Sequence, residues 1–152
     1  MHLNWKCVFF DDLSNKDLYH ILQLRTEVFV LEQQCLYQDM DNKDLLSWHL
    51  MGINHEGVLM AYVRLLPPGL SYAEPSIGRV VTSPAIRRVG AGKELMQVAI
   101  AKCIELFGNK SIKIGAQLYL KIFYESFGFV VSGAVYLEDG IEHVEMAKKG
   151  SF

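Results

Sequence analysis

Arg87-Arg88-Val89-Gly90-Ala91-Gly92-Lys93 follows an apolar run, Ile77-Gly78-Arg79-Val80-Val81, and leads into an amphipathic stretch over residues 93–106. This is the pattern of a strand, a tight turn and a helix. Gly90 and Gly92, spaced i, i+2, let the backbone turn with its N–H groups pointing one way. The helix beyond begins with unpaired N–H groups and the positive end of its dipole, which together favour a phosphate. Arg87, Arg88 and Lys93 place three cations around the loop. The stretch reads as an anion cradle on an α/β framework.

Two familiar glycine loops do not fit. A Walker A loop, G-x-x-x-x-G-K-[ST], needs a hydroxyl after its lysine for magnesium; here Glu94 follows Gly92-Lys93, and Arg87 occupies the first glycine position. A dinucleotide fingerprint, G-x-G-x-x-G, is met by Gly90 and Gly92 but has Leu95 in its third position. The pattern that does fit is R/Q-x-x-G-x-G/A, met by Arg87, Gly90 and Gly92.

A second motif lies downstream. Phe123-Tyr124-Glu125-Ser126-Phe127-Gly128-Phe129 follows the strand-like run Ser111-Ile112-Lys113-Ile114-Gly115-Ala116. Residues 119–127 have helical spacing, Gly128 suits a left-handed helix cap, and Phe129 begins another strand. Tyr124 therefore sits on a short helix between two strands, where its phenol either faces a cleft or serves as a half-buried aromatic with a hydrogen-bond partner. With these two motifs the chain resembles the GNAT superfamily of acyl-CoA-dependent N-acetyltransferases. The first-helix run Leu24-Arg25-Thr26-Glu27-Val28-Phe29-Val30-Leu31-Glu32-Gln33, the segments Tyr37-Gln38-Asp39-Met40-Asp41 and Gly115-Ala116-Gln117, and Tyr136-Leu137-Glu138-Asp139-Gly140-Ile141 are similar to its ElaA-like subgroup.

The resemblance implies one GNAT domain over residues 1–152, an α/β fold with a mixed, mostly antiparallel sheet, splayed central parallel strands and flanking helices. It implies acetyl-CoA as cosubstrate, with no metal. Arg87, Arg88, Val89, Gly90, Ala91, Gly92 and Lys93 would hold the coenzyme pyrophosphate, and backbone groups of Val80, Val81 and Thr82 would pair with the pantetheine arm like an added strand. A backbone N–H of that stretch would stabilise the thioester oxyanion. Gln117 and Phe123 would also contact the cofactor, Gln117 standing where many relatives carry an asparagine. Tyr124 would protonate the leaving thiolate.

Acyl transfer needs a neutral amine, and a lysine-like amine of pKa ~10.4 costs about 4 to 5 kcal/mol to deprotonate at neutral pH. A carboxylate or imidazole normally helps. Glu32, Asp39, Asp41, His49 and His143 are the candidates, with Glu32 and His143 ahead because their segments border the acceptor side in the family. The cluster Asp39, Asp41, Asp44 would favour a cationic acceptor, a small or peptidic amine. Direct attack in a ternary complex requires no Ser, His and Asp set. A non-catalytic acyl-CoA sensor using the same cleft, and a phosphate-binding nucleotide module, are the competing readings.

With 152 residues, 51% apolar and 21% charged, the chain suits one globular domain. A net charge of −2 gives no general footprint for nucleic acid, so the cations near Gly90 are a local feature. No apolar run approaches the ~18–20 residues of a membrane span, and Met1-His2-Leu3-Asn4-Trp5-Lys6 lacks a signal-peptide layout. Cys7, Cys35 and Cys103 read as scattered reduced thiols, which with the absent leader implies the cytoplasm. No Cys or His pair has zinc-ligand spacing. Val130, Val131, Val135 and Val144 offer apolar surface for a homodimer or for the core alone.

The remaining elements follow from periodicity. Residues 4–10 alternate as a strand. Ser14 reads as a helix N-cap with Asp17 as its acidic partner, ahead of a stripe of Leu18, Ile21, Leu22, Arg25, Val28 and Phe29. Arg25 would pair with Glu32 or extend its head to solvent. Residues 33–47 read as a loop or short helix. A hairpin over 48–54 and 58–66, a strand over 76–81, a helix over 92–107 capped by Gly108, and strands over 110–116, 129–136 and 142–147 complete the order.

Overall fold

Alternating side chains set β1 (Asn4–Phe9) at one edge of a seven-stranded sheet in the computed structural model, which describes residues 2–150. The chain continues through α1 (Asn15–Arg25), β2 (Trp48–Ile53), β3 (Leu59–Leu66), β4 (Ser76–Thr82), α2 (Ala91–Phe107), β5 (Ile112–Gln117), α3 (Lys121–Glu125), β6 (Val130–Glu138) and β7 (Ile141–Lys148). The strands lie in the order β1-β2-β3-β4-β5-β7-β6. Every neighbouring pair is antiparallel except β4 and β5. Element order and sheet type are those the sequence implies.

Helices cover both faces. Leu95, Met96, Ala99 and Cys103 of α2 pack on Val63, Leu65, Ile77, Ile112 and Ile114. A buried Leu or Met side chain is worth about 2 kcal/mol here, so this stripe anchors the helix. On the other face, Ile21, Leu24, Val28 and Phe29 cover Met51, Tyr62 and Val81. Ser14 caps α1 as expected, its Oγ accepting from the Asp17 N–H at 3.1 Å. The Asp17 carboxylate does not return the bond; it accepts from Lys6 Nζ at 2.9 Å.

Two backbone features depart from the sequence reading. After Arg25 the helix widens into a π-helical run, Thr26–Glu32, with the Gln33 N–H bonded to the Val28 carbonyl at 3.1 Å. Its apolar residues keep helical spacing, so nothing in the sequence distinguishes the wider turn. The second is a β-bulge in β4. Tyr62 and Arg64 of β3 face Val81 and Gly78, so three steps on β4 match two on β3, and Arg79 takes φ of +52°. Beyond the single ladder pair Ser76↔Lys113 the strands β4 and β5 separate, which is the expected splay.

The loop before α2 also corrects a detail. Gly90 is the left-handed N-cap at φ +81°, and Arg88 is left-handed too at φ +69°, but Gly92 already lies in the first helical turn. Of the two glycines only Gly90 shapes the turn, together with left-handed Arg88. At the far edge, Asp139 and Gly140 both have positive φ and close a two-residue hairpin between β6 and β7. Val130, Val131 and Val135 are exposed on the edge strand β6, whereas Val144 belongs to the core.

Candidate active site

The splay opens a cleft of about 830 Å³, lined on one side by Val80, Val81 and Thr82 and on the other by Ile114, Gly115 and Gln117. Arg87, Gly92, Phe123 and Tyr124 line it as well. Arg88, Val89, Gly90, Ala91 and Lys93 are not among the lining residues: Ala91 is in the core, and Arg88, Val89 and Gly90 are exposed. The Val81 side chain is core, so only its backbone can serve the cleft. Gly92 turns no corner, but its missing side chain leaves room beside Phe123, whose ring a Cβ there would meet at 3.8 Å.

Tyr124 is fixed by the end of its helix. Gly128 at φ +94° closes a Schellman motif, its N–H bonded to the Glu125 carbonyl at 3.0 Å and the Phe129 N–H to the Tyr124 carbonyl at 3.4 Å. The Phe123 and Phe129 rings meet the Tyr124 ring edge-on at 5.2 and 6.2 Å. Only 6% of Tyr124 is exposed, and its hydroxyl bonds to none of the described residues. Burial pushes the phenol well above its ordinary pKa, so it is held protonated.

The end of the π-helical run reaches across the cleft. Glu32 grips Arg87 bidentately, Oε1 to NH2 at 2.6 Å and Oε2 to NH1 at 2.8 Å. The Arg87 guanidinium holds the Glu32 carboxyl below its usual pKa. The side-chain amides of Gln33 and Gln117 face each other at 3.5 Å in both directions. Cys35 Sγ donates to the Asp139 carbonyl at 3.2 Å. Glu32, proposed from sequence as a base, is thus paired with Arg87 of the loop before α2.

The other acidic candidates are occupied more deeply. Arg25 does not pair with Glu32 or reach solvent; it is 0% exposed, donating from Nε to Asp39 at 2.7 Å and from NH1 to Asp44 at 2.8 Å. Arg64 binds Asp41 at 2.7 Å and Asp44 at 3.0 Å, and Arg79 binds Asp39 at 2.7 Å. The Asp39, Asp41, Asp44 cluster is therefore matched by three guanidinium groups, and does not stand as open negative charge awaiting a cationic acceptor. Although burial opposes it, pairing with Arg64 and Arg79 holds the Asp41 carboxyl down at about 2. His49 is buried with both ring nitrogens engaged, Nδ1 2.6 Å from the Tyr62 hydroxyl and Nε2 3.0 Å from the Asp44 carbonyl. Burial lowers its pKa, and it acts as a core residue.

His143 differs. It lines the cleft, with its Nδ1 2.8 Å from the Ile141 carbonyl. A carbonyl only accepts, so Nδ1 carries a proton towards it. Nε2 lies 3.5 Å from Glu138 Oε2, and the Tyr136 ring stacks on the imidazole at 5.6 Å. Tyr136 crosses to Gly115, where any Cβ would overlap its hydroxyl. The sequence reading did not single out Arg64, Arg79, Tyr72 or Tyr136, all of which line the cleft. For the two tyrosines a glycine inside β5 was the available signal, since both hydroxyls approach Gly115; the two arginines had none. Among the described residues no group of His, Cys, Asp or Glu is placed to hold a metal ion, and no helix is long and apolar enough to cross a membrane.

The geometry has counterparts. A family model described as the acetyltransferase (GNAT) domain matches residues 11–150. A UPF0039 protein of Synechocystis is 45% identical over 146 residues, which is 96% of this chain and 95% of that protein. ElaA of Escherichia coli is 40% identical over 149 residues, 97% of each chain. The crystal structure of an acyl-CoA N-acyltransferase from Pseudomonas aeruginosa superposes with a TM-score of 0.91 at 44% identity, covering 96% of this chain and 99% of that one. The crystal structure of E. coli ElaA does so with a TM-score of 0.89 at 39% identity, covering 97% and 99%.

Proposed function

The chain belongs to the GNAT family of acetyltransferases, and from that premise we propose that it moves an acetyl group from acetyl-CoA to a primary amine within a ternary complex. One arrangement supports the reading above all: β4 and β5 part after a single ladder pair, with the Gly90 turn and helix N-terminus following one strand and Tyr124 in the lining beside the other. The gap exposes strand backbone of Val80, Val81 and Thr82 to an extended ligand, and the first turn of α2 offers N–H groups to phosphate.

His143 Nε2 takes the proton from the ammonium, directly or through one water. The neutral amine attacks the thioester carbonyl; the C–N bond forms as the carbonyl oxygen gains charge, held by a backbone N–H near Val80. One such donor is worth about 3 kcal/mol. Collapse breaks the C–S bond; the Tyr124 hydroxyl gives its proton to the departing thiolate, and the proton shed by the amide nitrogen restores the phenol, so the ammonium proton on His143 is the one released. Burial that raises the phenol raises the thiol in the same dry space, so the transfer stays affordable. Glu32 faces Arg87 with its carboxyl held below its usual pKa, which makes it a poor proton acceptor.

A screen of small and peptidic primary amines with acetyl-CoA, reading thiol release, tests this. Wild type turns over at least one amine; Tyr124→Phe loses about 100-fold in kcat with acetyl-CoA binding retained, and His143→Gln loses turnover without losing binding. Acetyl-CoA binding with no turnover of any amine would overturn the enzymatic reading in favour of an acyl-CoA sensor.

A further inference from the structure

Six charged side chains form a closed ring of alternating sign. Arg79 binds Asp39 at 2.7 Å, Asp39 binds Arg25 at 2.7 Å, and Arg25 binds Asp44 at 2.8 Å. Asp44 binds Arg64 at 3.0 Å, Arg64 binds Asp41 at 2.7 Å, and Asp41 returns to Arg79 at 3.4 Å. The ring sums to zero charge and all six members are at least half buried or better, so it is poorly suited to attracting a charged ligand. Buried ionic networks add little net stability over an apolar core, and their use is in fixing one arrangement.

What this ring touches is the bulge. Arg79 is the bulged residue itself, a non-glycine at φ +52°, and such a residue persists in the left-handed region only when its surroundings over-determine it. Its Nε and NH2 grip the Asp39 carboxylate at 2.7 Å and the Asp39 carbonyl at 2.9 Å. Arg64 stands on the facing strand where the register jumps, opposite Gly78. The ring therefore holds the bulge from both strands, and ties it through Arg25 to the end of α1, where the π-helical run begins.

We propose that Arg79 is a positioning residue for acyl transfer: held by the Asp39–Arg25 pair, it fixes the bulge and so aims the cleft-lining backbone of Val80 and Val81 at the thioester. This rests on the acetyltransferase reading. Arg79 need not touch the substrate; it acts through the strand. The phosphate loop, eight residues further on at Arg87, is anchored separately through Ile86 in the core, so the pyrophosphate seat is kept while the pantetheine contacts of Val80 and Val81 loosen.

Arg79→Gly and Arg79→Lys test the idea together. Glycine accepts the left-handed backbone but has no tie to Asp39, whereas lysine keeps the charge without the two-pronged grip. Both are read for melting temperature, acetyl-CoA affinity by calorimetry, kcat, and amide exchange over residues 78–82. The expected result is a folded protein with kcat down by about tenfold or more, acetyl-CoA affinity down by clearly less than that, and faster exchange at residues 80–82, with lysine the milder of the two. Wild-type kcat in a folded variant, or a loss of affinity as large as the loss of kcat, overturns the proposal. If the wild type itself turns over no amine, the functional reading fails, and the exchange data still decide whether Arg79 holds the bulge: unchanged exchange says it does not.

Discussion

Glu32 and Arg87 meet at the cleft, 55 positions apart in the chain, and their pairing ties up one of the three cations of the loop before α2. Both side chains remain more than a third exposed, so the pair is weak and readily exchanged. Glu32→Gln should free Arg87 and tighten acetyl-CoA binding by up to about fivefold at low ionic strength, an effect that vanishes in an Arg87→Ala background. Calorimetry on the four combinations measures it; a loss of affinity in Glu32→Gln would mean that the carboxylate serves the cofactor directly. At this scale the sequence was informative about Tyr124, because a glycine and an aromatic follow it at the spacing of a helix cap. It was misleading about the acidic residues. A carboxylate's partner is set by tertiary approach, and Arg25, Arg64 and Arg79 lie on three different elements from the aspartates they neutralise.

Strands and helices whose ends carry turn chemistry were legible: Ser14 before α1, Gly90 before α2, Gly108 after it, Gly128 after α3 and Asp139-Gly140 between β6 and β7. The π-helical run and the bulge were not, because Thr26–Glu32 reads as a helix and Arg79 as a strand residue by every local criterion. The short helix carrying Tyr124 depends most on its terminus, since it has only five residues and ends on Gly128 at φ +94°. Gly128→Ala should cost about 1 to 3 kcal/mol in chemical denaturation and lower kcat beyond the loss of folded protein, as the Tyr124 ring shifts. A variant of unchanged stability and rate would show that the cap does not hold the tyrosine.

Across the whole molecule, the charge ring links the end of α1, the loop before β2, β3 and β4. Arg25→Met removes the one member that is fully buried and strands Asp39 and Asp44, so a loss of about 3 to 5 kcal/mol is expected in urea denaturation. The ring also sets the acid limb of stability. Asp41 is held at about 2, and Asp44 is likewise lowered by Arg25 and Arg64 against the cost of burial. Groups with depressed folded pKa values contribute fully above the unfolded carboxylate value of ~3.9, and that contribution is lost as pH falls through the folded value. Melting temperature should therefore hold down to pH ~4 and drop towards pH ~2, with a shallower drop in Asp41→Asn. The fold's central claim for function, that the splayed cleft and the α2 N-terminus receive an acyl-CoA, is tested most directly by titrating acetyl-CoA into wild type and Gly92→Asp. Gly92 is helical and needs no unusual backbone, and an aspartate in a first helical turn is favourable, so the variant should fold. Saturable binding by wild type, abolished in Gly92→Asp at an unchanged melting temperature, is the predicted result. No binding by wild type, or equal binding by the variant, would contradict the account.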